Sequence, residues 1–197
     1  MISVYNMKAK FQMVLLPILK TLNKLDVTAN QITISAIVLS GITGVAFWFH
    51  PQGYMFLLVP IALLLRMALN ALDGMMAKTY NQQSLKGEIL NELGDVVSDA
   101  LLYIPLVKLS AGNPLPVFVF VAIAIINEFA GILAKVVYGV RSYTGPMGKS
   151  DRAFVIGLFC LICYFYPQAI AYTTTVLLFA SLLAVVSTIK RLIKTTK

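Results

Sequence analysis

Apolar residues fill most of this chain in long blocks separated by short polar intervals. Several blocks approach the roughly 20 residues that carry a helix across a bilayer core. Six spanning helices are predicted, near 31–49, 54–77, 88–108, 116–138, 152–166 and 168–189. The fifth is the shortest, and Pro167 sets its end. Ahead of them, residues 1–27 mix Lys8, Lys10, Lys20 and Lys24 with Met13, Val14, Leu15, Leu16, Ile18, Leu19 and Leu22. That stretch is too interrupted to span and reads as an amphipathic helix lying on the membrane surface. The expected fold is all-α and integral to a membrane: six transmembrane helices behind an N-terminal interfacial helix. The organisation is one surface helix, 1–27, and one six-helix domain, 28–197. No internal repeat or low-complexity segment breaks it.

Composition supports a bilayer setting. Of 197 residues 59% are hydrophobic and 12% charged, where soluble domains carry roughly 25% charged. The first apolar patch, Phe11 to Leu22, is interrupted by Lys20 and has no small-residue cleavage site, so no cleavable leader is expected. The net charge of +8 does not imply a nucleic-acid partner, because the cations sit beside apolar spans, where topology and anionic lipid account for them. Intervals near 50–53, 110–114 and Pro167 are nearly uncharged, Lys108 beside them excepted. Those on the other side carry Lys78 and Lys86, then Arg141, Lys149 and Arg152, then Lys190, Arg191, Lys194 and Lys197. By the positive-inside rule both termini and the 78–87 and 139–152 loops are cytoplasmic, in a multi-pass protein of the inner or plasma membrane. Cys160 and Cys163 have no companions for a zinc site and read as small apolar residues on one helix face. His50 reads as a surface residue at a helix end.

The exception to the apolar pattern is 70–99. Asn70 and Asp73 lie three apart near the end of one predicted helix, and Asn91 and Asp95 four apart near the start of the next, so each pair shares a face. An antiparallel helix pair would bring these groups together at the membrane surface. Carboxylates there call for a metal, a cation or water.

This stretch resembles the signature of the CDP-alcohol phosphotransferase family, which reads Asp-x-x-Asp-Gly-x-x-Ala-Arg, a short spacer, then Gly-x-x-x-Asp-x-x-x-Asp. Here Asn70 stands at the first Asp, followed by Asp73, Gly74, Ala77 and Lys78, the last in place of Arg. After 79–86 come Gly87, Asn91 at the third Asp and Asp95 at the fourth. Outside the signature, VTANQIT at 27–33 is similar to the family's Pro-Asn-x-x-Thr motif, with Ala29 at the proline, and GVRSYTGPMGKSDR is similar to its basic loop before the fifth span.

The resemblance implies that a hydroxyl attacks the β-phosphate of a CDP-linked alcohol and CMP leaves. It implies Asp95 as general base, with Asp73 the second catalytic carboxylate. Asn70, Asp73, Asn91 and Asp95 would hold Mg2+ or Mn2+, and Gly74, Ala77, Lys78 and Gly87 would bind the CDP moiety. Arg141, Lys149 and Arg152 would bind the acceptor. It also implies a homodimer. The donor expected is CDP-diacylglycerol and the acceptor a polar alcohol or sugar, phosphorylated or not. The alternatives are a catalytically impaired CDP-lipid or nucleotide binder, and a transferase using a soluble CDP-alcohol and a lipid acceptor.

Asn70 and Asn91 keep a carbonyl oxygen but each removes a negative charge. One or two ions are therefore open, the second requiring help from Glu88 or Glu92, which otherwise read as facing headgroups or water. Asn127 and Glu128 fall inside the fourth span. Glu128 is expected to pair with Arg66 in preference to binding acceptor hydroxyls.

Overall fold

The computed structural model describes residues 4–193, with side chains from Phe11 onward. Lys194 and Lys197, and the side chains of Lys8 and Lys10, fall outside the described residues. Among the described residues seven α-helices follow one another: α1 Val4–Lys24, α2 Ala29–Phe49, α3 Met55–Thr79, α4 Leu85–Tyr103, α5 Leu115–Tyr138, α6 Lys149–Phe165 and α7 Thr173–Ile193. Short 3-10 segments, Ile104–Leu109 and Pro167–Tyr172, extend α4 and lead into α7. No strand occurs among the described residues.

Among the described residues, four stretches are long and apolar enough to cross a membrane: Ala29–Phe49, Met55–Thr79, Leu115–Tyr138 and Pro167–Ile193. They match four of the six predicted spans. The other two, α4 and α6, form as helices but are shorter and more charged. A belt of outward-facing Val38, Ile42, Leu64, Leu65, Phe118, Ile126, Phe129, Phe179 and Leu182 is exposed. In water such a surface would aggregate; against lipid it is the favourable one. The protein is an integral membrane protein.

Local chemistry sets the helix ends. Thr28 caps α2 in a reciprocal box: its hydroxyl accepts from the Gln31 backbone N–H, and the Gln31 side chain accepts from the Thr28 N–H at 2.8 Å. Ser84 caps α4 by accepting from the Gly87 N–H at 3.0 Å. α5 ends at Gly139, whose φ of 76° is the left-handed conformation that closes a helix. α6 starts at Lys149, three residues before its predicted start, because the Asp151 carboxylate accepts from the Gly148 N–H at 3.0 Å. The third predicted span, run to 108, leaves α-geometry at Ile104. Pro105 lacks the N–H that the next turn requires.

Packing pairs α2 with α3 and α4, α3 with α6, and α5 with α7. α2 meets α4 so closely that a Cβ on Gly44 would stand 2.0 Å from the Leu101 carbonyl oxygen, so no side chain fits there. Leu15 and Leu19 of α1 pack with Ile32, Leu72 and Met76, while Met13, Val14, Leu16 and Ile18 face outward. Cys160 and Cys163 are free and buried in the main core.

The connections gather at two ends. At one, Lys108 lies 4.4 Å over the Trp48 ring, and Ser110 shares a small hollow with Thr173. At the other, Gln82 accepts from the Ala29 N–H at 2.8 Å, and Ser187 donates to the Thr144 carbonyl at 3.1 Å. The second end carries the basic loops and the signature residues.

Candidate active site

The turn at 80–84 folds the end of α3 back onto the start of α4, so the spacing of 70, 73, 91 and 95 becomes a meeting of faces. Asn70 donates through Nδ2 to Asp95 Oδ1 at 2.7 Å. Lys149 of α6 closes on the other oxygen, Nζ to Oδ2 at 2.5 Å. Asp95 is buried, while the Lys149 side chain keeps 31% exposure. Asp73, also buried, accepts from Thr33 Oγ1 at 2.8 Å. The family-like VTANQIT segment thus supplies a group that orients the first signature carboxylate.

Beside this cluster lies an open cleft of about 670 Å³. It is lined by Asp73, Gly74, Ala77, Lys78, Gly87 and Asn91 from the signature, by Ala29, Asn30 and Thr33 from α2, by the Gln82–Leu85 turn, and by Glu88 and Lys135. All four residues expected to bind CDP face this one space. A Cβ on Gly74 would meet nothing within 4 Å, so the cleft wall there is bare backbone. A Cβ on Gly87 would come within 2.8 Å of Asn30 Oδ1, so this glycine lets α4 start against α2. Asn30, Thr33 and Gln82 extend the site beyond the residues singled out in the sequence. The signal for the first two was the Asn-x-x-Thr spacing, whereas Gln82 carried none.

The four expected metal residues divide into two pairs. Asp73 and Asn91 face the cleft; Asn70 and Asp95 are bonded to each other beside it. Among the described residues no three His, Cys, Asp or Glu side chains converge to hold a metal ion. Both oxygens of Asp95 are already engaged, one by an ammonium. This donor set does not fit two adjacent divalent ions. The two groups that face the cleft, the Asp73 carboxylate and the Asn91 carboxamide, carry oxygen donors of the kind a divalent cation takes.

Around Asp95 runs a band of ion pairs. Along α4, Glu88, Glu92, Asp95 and Asp99 each meet a different cation. Lys135 pairs with Glu88, and Arg141 with Glu92. Lys149 pairs with Asp95, and Arg66 Nη1 lies 2.5 Å from Asp99 Oδ1. Glu92 therefore turns away from the signature cluster to the 139–148 loop, and neither it nor Glu88 simply faces water. Arg152 is fully buried. Its Nε and Nη2 reach Asp99 Oδ2 at 3.0 and 2.7 Å, Nη2 also meets Glu128 Oε1 at 3.0 Å, and Nη1 donates to the Met147 carbonyl at 3.2 Å.

The expected Arg66–Glu128 pair does not form. Arg66 belongs to Asp99 and, through Nη2, to the Asp95 carbonyl at 3.0 Å, while Glu128 takes Arg152 and Arg141, with Arg191 at 3.6 Å. The reason is helix pairing: α3 packs on α6, whose Arg152 brings Asp99 within reach of both arginines, and α5 packs on α7, which carries Arg191. Of the three expected acceptor-binding cations, Lys149 sits on Asp95 itself, while Arg141 and Arg152 sit on Glu92, Asp99 and Glu128. Burial pushes the Arg141 guanidinium down, but Glu92, the Tyr143 ring and Glu128 outweigh it and hold it above its ordinary value.

Comparisons with known proteins bear on the family and the fold. The family model described as CDP-alcohol phosphatidyltransferase matches residues 26–188. The inner membrane protein YnbA of Escherichia coli strain K12 is 46% identical over 189 residues, covering 96% of this chain and 94% of that one. Phosphatidylinositol phosphate synthase (PgsA1) of Mycobacterium tuberculosis, solved with CDP-DAG bound, shares the fold at a TM-score of 0.75 and 16% identity, over 91% of this chain and 92% of that one. The same enzyme in complex with manganese and citrate gives 0.76 and 17%, over 92% and 88%.

Proposed function

Since the chain belongs to the CDP-alcohol phosphatidyltransferase family and is an enzyme of that type in phospholipid synthesis, we propose that it moves the phosphatidyl group of CDP-diacylglycerol onto a polar alcohol or sugar and releases CMP. The observation that carries this reading is the 670 Å³ cleft, which joins every expected CDP-binding residue to Asp73 and Asn91 of the signature.

In the proposed reaction the cytidine and pyrophosphate occupy the cleft, close to the bare backbone at Gly74, with Lys78 and Lys135 offsetting phosphate charge. The acyl chains leave along the apolar belt. The acceptor hydroxyl attacks the phosphorus that carries diacylglycerol. A new P–O bond forms, the bond to the oxygen shared with the CMP phosphate breaks, and CMP leaves with that oxygen. The hydroxyl proton goes to the Asp95 carboxylate, which Asn70 holds in place. Lys149, partly exposed on its long stem, swings aside to admit the hydroxyl. A bound divalent cation supplies charge neutralisation at the phosphates. Asp73, oriented by Thr33, and Asn91 would hold it; Asn70 serves Asp95 in preference to the metal. Arg141, Lys149 and Arg152 form the acceptor side.

The proposed topology has six crossings, α4 and α6 completing the four long apolar helices. α1 lies on the inner surface, and the site and both termini face the cytoplasm, which supplies nucleotide and Mg2+. The charged stretches of α4 and α6 lie at the end where the basic loops gather. A homodimer is proposed on family grounds alone.

The purified protein should release CMP from CDP-diacylglycerol only with Mg2+ or Mn2+ and an alcohol present. Asp95→Asn should reduce that release by about 10²-fold or more, as loss of a general base does, while CDP-lipid binding persists. Undiminished release by Asp95→Asn would remove it as the base.

A further inference from the structure

Building on the transferase reading, we infer that the acceptor subsite is made for an alcohol that carries no phosphate, with Glu92 and Glu128 excluding the phosphorylated ones. The observation is that the cations of this subsite are already occupied from within the protein. Arg141 spans two carboxylates, Nη1 toward Glu92 and Nη2 2.8 Å from Glu128 Oε2. Arg152 spends Nε, Nη1 and Nη2 on Asp99, Met147 and Glu128. Lys149 is on Asp95. Behind them, Arg66 is on Asp99, and Arg191 lies on the Asn127 carbonyl at 2.5 Å and near Glu128.

A phosphomonoester would bring about two negative charges to guanidinium groups that each have a carboxylate within hydrogen-bond distance. To reach Arg141 it must displace Glu92 or Glu128, and to reach Arg152 it must displace Asp99 or Glu128; the Glu128 side chain is only 4% exposed. The displaced carboxylate would remain buried against the incoming dianion. Leaving a buried charge unpaired is among the costliest changes a site can make, and a like charge set against the ligand is how binding sites reject a wrong partner. An uncharged alcohol meets no such opposition. Its hydroxyls need only hydrogen-bond partners, which the rims of Glu92, Asp95 and Lys149 provide.

Two measurements on the purified full-length protein decide this. The first is binding of glycerol 3-phosphate and of inorganic phosphate to the wild type, Glu92→Gln and Glu128→Gln. Wild type should bind neither measurably at Arg141, and Glu92→Gln should tighten binding about tenfold or more, an effect that Arg141→Ala removes. Glu128→Gln risks misfolding because it strips Arg152 and Arg141 together. Glu92, at the edge of the band with 16% side-chain exposure, keeps the test decisive. Tight phosphate binding by wild type that Arg141→Ala abolishes overturns the inference, as does a Glu92→Gln variant that binds no better. The second is CMP release with matched acceptor pairs, glycerol against glycerol 3-phosphate and inositol against inositol phosphate. The unphosphorylated member should have at least a tenfold higher kcat/KM, and the reverse order overturns the inference. No CMP release with any acceptor would defeat the transferase reading instead, and the binding experiment would still decide this one.

Discussion

Hydrogen bonds from Asn70 and Arg66 of α3 and from Lys149 of α6 converge on Asp95. Its two oxygens meet an amide and an ammonium, and its carbonyl accepts from Arg66. Asn70 is half of that arrangement, and its identity has a measurable consequence. Asn70→Asp would exchange a donor for a second carboxylate 2.7 Å away from the first. Two carboxylates that close repel unless a cation joins them. The substitution should therefore tighten Mn2+ binding by about tenfold, read from the paramagnetic signal of free Mn2+ during titration. Unchanged affinity would mean that Lys149 alone compensates and that this position does not set the metal site. At this scale the sequence was informative where partners lie three or four residues apart on one helix, or at the ends of one turn. Asn70 and Asp95 meet as their spacing implies. It was uninformative about Arg66 and Glu128, because the choice among four arginines and four carboxylates depends on which helices pack together. Nothing in local spacing states that.

Between helices, the ion pairs differ in depth, and depth decides their worth. Asp99 ties α4 to α3 through Arg66 and to α6 through Arg152, and both arginine side chains are at most 4% exposed. Asp99→Asn leaves two buried guanidinium groups short of a countercharge, and should cost about 3–5 kcal/mol of stability. Glu88 and Lys135 also join two helices, but both side chains are more than two-fifths exposed. Glu88→Gln should cost under about 1 kcal/mol. Thermal unfolding in one detergent separates the two: a marked fall in Tm for the first variant and almost none for the second. Equal falls would contradict this ranking. The helices themselves were legible, since each of the six apolar blocks became a helix. Their ends were less so. α6 begins early because of an Asp151 cap, and α4 passes into a 3-10 turn at Pro105. Such ends depend on single hydrogen bonds that a hydropathy pattern does not register.

Across the whole molecule, one end carries the signature, the basic loops and the cleft, and the other carries nearly uncharged turns. If the basic end is cytoplasmic, Gln83→Cys in the α3–α4 turn should resist a membrane-impermeant thiol reagent in intact cells and react in inside-out vesicles. Gln52→Cys should do the opposite. Cys160 and Cys163 are buried and give little background. The same sidedness for both positions would exclude the proposed crossings. The charge asymmetry that orients the molecule was readable from sequence because it is a property of loops. The pairing of the cations on the proposed acceptor side was not, because it arises only when α4, α5, α6 and the 139–148 loop come together.

The most direct measurement of the central claim is mass spectrometry of the lipid formed from CDP-diacylglycerol by the purified protein, with Mn2+ and a pool of alcohols. The account predicts a phospholipid one alcohol heavier than phosphatidic acid, less water. It should form in step with CMP and be lost in Asp95→Asn. CDP-diacylglycerol that binds but yields neither CMP nor a new phospholipid with any alcohol would contradict it.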